Sequence, residues 1–229
     1  MRLARRGVAA VVVAAGVLVV SGCGEPSPTV MESPRIVWQD GRAPDSPLEA
    51  DPWVQAMRAR DLGVSMAWNS GDFTIRQLTD YESDEDVARI VEYYVVQGDD
   101  PSVDVGPMPF EPLAVTELPD GSAAAVRACF LEKSMSEHAT EPWIYDVFGE
   151  PELVATIGVW YLGFEEGTGE RHRLDSDDPR IEEFDESVTD GEDEECDPES
   201  VPFGLYDPEP QLPEAPVTKP VRAPLVDGA

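Results

Sequence analysis

Near residue 100 the hydrophobic period of this chain changes, and that change restricts its possible folds more than any other feature. Upstream, Asp51-Pro52 opens a helix with an acidic cap and a proline at its first position. Trp53, Met57, Val64 and Trp68 then recur at helical spacing, and Gly71 supplies a left-handed stop. Asp72 is placed to cap a short helix carrying Ile75 and Leu78. Ser83 and Asp86 form a capping pair ahead of Val87, Ile90, Val91 and Tyr94, and Gly98 closes that helix. Downstream the period shortens. Residues 112–118 and 123–131 read as strands joined through Asp120-Gly121, a two-residue hairpin signal. Residues 153–164 read as the longest strand, and residues 171–174 pair back after a turn. Helices followed by a meander predict an α+β domain, the helices packed on one face of an antiparallel sheet.

The chain begins with Arg2, Arg5 and Arg6, an apolar run of 13 residues from Val8 to Val20, and then Ser21-Gly22-Cys23. A span needs about 20 apolar residues, so the run is too short to cross a bilayer and reads as the core of a cleaved export signal. Val20-Ser21-Gly22-Cys23 resembles the lipobox of bacterial lipoproteins. The resemblance implies removal of residues 1–22, a lipid on Cys23, and a place on the extracytoplasmic face of the cell membrane. The first 22 residues hold three Arg and no acid, so the formal charge moves from −31 to −34 without them. A surface this negative is repelled by nucleic acid and by anionic lipid, which leaves the covalent lipid as the contact with the membrane.

With Cys23 taken by lipid, Cys129 and Cys196 remain as the last two thiols in an oxidising compartment, and a disulfide between them is expected. Residues 23–50 carry Pro26, Pro28, Pro34, Pro44 and Pro47 without a sustained period and read as a tether, reaching roughly 25 to 30 Å as a coil. Prolines recur again over residues 198–229, where Phe203, Leu205 and Tyr206 suit an extended strap ahead of a disordered tail. The domain lies between, over residues 51–197.

Three N-terminal helices, the phrase Ala67-Trp68-Asn69-Ser70-Gly71-Asp72-Phe73 and a sheet to follow resemble the nuclear transport factor 2-like family. That resemblance, over about residues 51–165, implies a strongly bent sheet closing into a cone. Gly106-Pro107 with Pro109-Phe110, then Val126 and Cys129, is similar to actinobacterial lipoproteins of that shape. Residues 165–199, with 17 acidic residues against three Arg, read as an acidic loop or insertion.

Enzymes of the resembled family, ketosteroid isomerases and polyketide cyclases among them, place an Asp base or an Asp–His pair inside the cone. Here His138 and His172 both fall in polar surroundings and read as surface residues, and Asp72 reads as a cap. No G-x-S-x-G and no phosphate-binding loop is present, so no cofactor is expected. The acidic groups Asp175, Asp177, Asp178 and Asp190, Glu192, Asp193 lack the spaced loop that fixes calcium, and no metal site is expected. Trp68, Tyr94, Trp160 and Tyr161 are the candidate lining of a concavity for an apolar ligand. The reading that follows is a lipid-anchored envelope protein that binds a ligand or another envelope protein. Two alternatives stand beside it: a pocket enzyme of the isomerase or cyclase type, and a passive spacer.

Overall fold

A computed structural model describes residues 30–99, 102–131, 155–164, 171–174, 178–184, 196–197, 200–211, 219–221 and 223. Among these, three helices and two antiparallel sheets form a mixed α+β arrangement. The helices are α1 (Pro52–Ser70), α2 (Arg76–Thr79) and α3 (Asp84–Val96). The strands are β1 (Arg35–Trp38), β2 (Phe110–Glu117), β3 (Ala123–Leu131), β4 (Ala155–Phe164), β5 (Arg171–Arg173) and β6 (Gly204–Asp207). The larger sheet runs β2-β3-β4-β5, every neighbour antiparallel, as the meander pattern predicts.

Local chemistry sets the helix ends. Asp51 Oδ1 accepts from the Trp53 amide at 2.8 Å, with Pro52 following. At the other end Gly71 sits at φ 68°, a conformation glycine adopts without steric cost, and its amide donates to the Ala67 carbonyl. Ser83 Oγ accepts from the Asp86 amide and donates to the Asp86 carboxylate, the reciprocal cap expected for α3. Asp72 behaves differently from expectation. Its Oδ1 accepts from both the amide and the hydroxyl of Thr74, closing a local turn, while Ile75 is the residue that precedes α2. An aspartate reaches a backbone amide two positions on as readily as it caps a helix, and here the turn wins.

The α1 stripe splits between two cores. Trp53, Val54 and Met57 pack on Phe110, Ala124, Val126, Ala128 and Leu162 of the sheet. Met66 and Ala67 pack with Phe73, Ile75, Leu78, Val87 and Tyr94, with Val64 and Trp68 partly buried beside them. Between the two halves α1 touches α2 so closely that a Cβ at Gly63 would lie 2.0 Å from the Gln77 carbonyl oxygen, so only glycine fits. Strand β3 is buried on both faces, and its alanines leave room for a layer on each side. Ala124, Val126 and Ala128 meet α1, whereas Ala123 joins Leu118 and Leu174 on the opposite face, under Tyr161, Ile181 and Phe184.

The hairpin between β2 and β3 turns through Pro119-Asp120-Gly121-Ser122, the four residues left between the two expected strands. The Gly121 amide donates to the Leu118 carbonyl and the Leu118 amide to the Ala123 carbonyl, so residues 119–122 form the loop. Pro119, with φ fixed near −65°, suits the second position of a common turn. Strand β2 slips register between Pro112 and Ala114. A proline has no amide to offer a ladder, and an edge strand with a bulge accommodates it.

The ordered fold extends past both expected boundaries. Residues read as tether form β1, which pairs with β6 from the C-terminal strap, Arg35 opposite Asp207 and Trp38 opposite Gly204. Arg35 and Asp207 are also ion-paired. The Gln39 amide donates to the Phe203 carbonyl, and the Tyr206 amide to the Val105 carbonyl, which lays the ribbon on the segment between α3 and β2. Tyr206 is buried, and burial holds its phenol well above its ordinary pKa. Further on, the Val221 amide donates to the Gly71 carbonyl at the end of α1, within the segment read as a disordered tail. The prolines mark extended chain here, and extended chain finds backbone partners at a strand and a helix terminus. The disulfide joins Cys129 to Cys196 with Cα atoms 5.4 Å apart, so the region before the strap is fastened to the central strand.

Candidate functional site

The side of the sheet that faces α1 carries a row of aromatic rings bordered by arginines. Residues 110 and 130 stand opposite each other on β2 and β3, and their rings lie 5.7 Å apart. Phe130 in turn stacks on Trp160 of β4, centroids 6.1 Å apart and planes 21° apart. Trp53 of α1 meets Phe164 at 5.1 Å and donates its indole N–H to Glu117 at 2.9 Å. The alternation of strand side chains puts residues 160, 162 and 164 on this face, and the β4–β5 register puts 171 and 173 beside them.

Among the described residues, four guanidinium groups approach these rings. Arg58 lies 3.8 Å from the Phe110 centroid, bonded in a fork to Glu49 and to the Phe110 carbonyl. Arg60 lies 4.8 Å from the Trp160 centroid and is paired with the carboxylate of Glu82, whose side chain is wholly buried. Arg171 is 4.8 Å from the rings of both Trp53 and Phe164, and Arg173 is 5.3 Å from Trp160. The face therefore offers flat apolar surface next to positive charge, the combination that cation–π attraction favours. Burial pushes the Glu82 carboxyl up from its ordinary pKa, with Arg60 pulling it partly back.

Among the residues expected to line a concavity, Trp160 belongs to this face, and the others lie elsewhere. Tyr161, its neighbour in sequence, points the other way and packs against Phe184 at 5.3 Å. Trp68 and Tyr94 meet edge-on at 5.0 Å, with Phe73 against Tyr94, in the helical core. The Trp68 indole donates to the Ser102 carbonyl, and Asn69 next to it exchanges two hydrogen bonds with the backbone of Asp104. The phrase from Ala67 to Phe73 thus pins the following loop and ends α1. The four rings do not share one cavity, because adjacent strand positions face opposite ways and helical spacing directs Trp68 and Tyr94 toward α1–α3 packing.

Other candidates are placed as follows. His172 is half-buried on the face of β5 opposite Arg171 and Arg173. Asp178 accepts three hydrogen bonds from Arg180, which hold its carboxyl below the usual range and occupy its oxygens. Among the described residues no group of three or more His, Cys, Asp or Glu is set to hold a metal, and no helix is long and apolar enough to cross a membrane. Cys23, His138, Asp175, Asp177, Asp190, Glu192 and Asp193 lie outside the described residues. Sequence reasoning missed Glu82 and the arginines. Glu82 sits in a polar stretch that reads as a connection, and Arg171 and Arg173 read as flanks of a surface histidine; the alternation of a strand after residue 170 was the signal that places those two arginines together.

Fold and site together define an α+β domain with an arginine-bordered aromatic face. Comparison with protein-family models, with curated proteins and with solved structures finds no match to the chain.

Proposed function

We propose that the chain is a lipid-anchored protein of the extracytoplasmic side of a bacterial membrane, and that its domain acts by binding. The observation that carries the binding half is the environment of Trp160, half-buried on the helix-facing side of the sheet, with Phe130 stacked against it and Arg60 and Arg173 at its ring. A flat ring left partly open beside charge is a recognition surface. The Cys129–Cys196 bond supports the exported half, because such bonds persist in oxidising compartments. In this reading Cys23 bears the lipid, and the 12 steps from Cys23 to β1 limit the reach of the domain to at most about 40 Å. The finer description of the fold as a nuclear transport factor 2-like cone is supported by the order of helices before meander and by the bulge in β2, which bends a sheet.

One observation favours an isomerase- or cyclase-type enzyme instead: Glu82 is a buried carboxyl with a raised pKa on the helix side of the sheet. Its pairing with Arg60 commits it to a structural role, which places binding ahead. Two measurements test the proposal. Cys23→Ala should accumulate as unprocessed precursor; processing and membrane partition unchanged from wild type would remove the anchor. Native mass spectrometry of the membrane-extracted protein should show the mature chain with an added ligand mass, and a bare chain would overturn the binding reading.

A further inference from the structure

The chain holds 47 acidic residues against 16 basic ones, so an arginine finds a carboxylate easily. Arg35, Arg58, Arg60, Arg76, Arg89 and Arg180 each do. Among the described residues Arg171 and Arg173 form no such ion pair. Their guanidinium groups lie against aromatic rings, Arg173 also attracts the buried carboxyl of Glu82, and the Nε of Arg171 is buried without a hydrogen-bond partner among the described residues. A buried donor left unmade is a standing cost that a ligand can relieve. The two stand two positions apart on β5, on the same face, at the last strand of the sheet order.

We propose that the helix-facing side of β5 is an anion-binding site, where Arg171 and Arg173 take the carboxylate or phosphate of a small ligand whose flat apolar part lies on Trp160. This rests on the reading of the domain as a binding module and names the ligand class. A guanidinium fork matches both head groups through paired N–H donors. The rest of the chain decides the size. With a formal charge of −31 it repels an extended polyanion, whereas a compact ligand with one anionic group meets mainly the two local arginines.

Calorimetric titration of the full mature chain with benzoate, phenyl phosphate and inorganic phosphate tests the site. Saturable binding of benzoate or phenyl phosphate is expected, and which of the two binds more tightly identifies the head group; inorganic phosphate, lacking a ring, should bind more weakly than phenyl phosphate. Arg173→Gln should weaken the ring-bearing probes about tenfold or more, consistent with loss of a charge-assisted contact. Because Arg173 is exposed, that variant keeps the fold even if Arg171→Gln loosens the contact with Trp53. Arg76→Gln, an exposed arginine paired with Asp80 on α2, should bind as wild type does. No saturable heat from either ring-bearing probe, or affinities unchanged in Arg173→Gln, would overturn the site. Retention of the native ligand mass in Arg173→Gln would then leave the binding reading standing, which separates the two failures.

Discussion

Replacing Cys129 and Cys196 together by Ala is expected to cost about 4 kcal/mol of stability, the chain-entropy value for a crosslink spanning this much sequence. The two residues are 67 positions apart, so the bond removes a long loop from the freedom of the unfolded chain. Alanine at 129 suits the site, since Cys129 is 1% exposed on the central strand and a serine hydroxyl there would need a partner. Denaturant unfolding should show a lower midpoint for the double variant. A reducing agent should shift the wild type by a similar amount and leave the variant unmoved. If reduction leaves the wild-type midpoint where it was, the crosslink contributes nothing and the assignment of its role fails.

What the sequence made legible was local. Asp51-Pro52, Gly71 and the Ser83–Asp86 pair act within a few residues of themselves, and each marks a helix end in the structure. The meander was legible for the same reason, since each strand pairs with its neighbour in the chain. Strands β1 and β6 were not, because each is four residues long and its partner is more than 160 positions away. Nothing near Arg35 signals Asp207. The site shows the same division. Trp160 and Tyr161 are equally aromatic in sequence, and only the register of β4 against β3 separates the ring on the helix face from the ring on the other. Asp72 failed in a different way: both of its possible roles are local, and geometry chose the turn with Thr74.

The second large effect concerns Arg60 and Glu82. Arg60→Met leaves a buried carboxylate without its partner, and truncations of this kind cost about 3 to 5 kcal/mol. The double variant Arg60→Met/Glu82→Leu should recover most of the loss, because two apolar side chains replace a desolvated pair whose net contribution is small. The loss should also depend on pH. Burial raises the Glu82 carboxyl from the ordinary 4.5, and Arg60 offsets part of that rise. The folded chain therefore holds this proton more tightly than the unfolded chain, and the stability it contributes is fully present below 4.5 and disappears as pH rises through the folded value. Without Arg60 the folded value climbs further. At low pH Glu82 is then neutral and tolerates its burial, whereas at neutral pH folding must either ionise it in an apolar site or take up a proton. The difference in unfolding free energy between wild type and Arg60→Met should thus be larger near pH 7 than near pH 4.5. Comparing the two chains at each pH removes the effect of the many surface carboxylates, which titrate alike in both. A difference that stays constant across that range would show that Arg60 stabilises the fold by packing on Trp160 and not through the charge of Glu82.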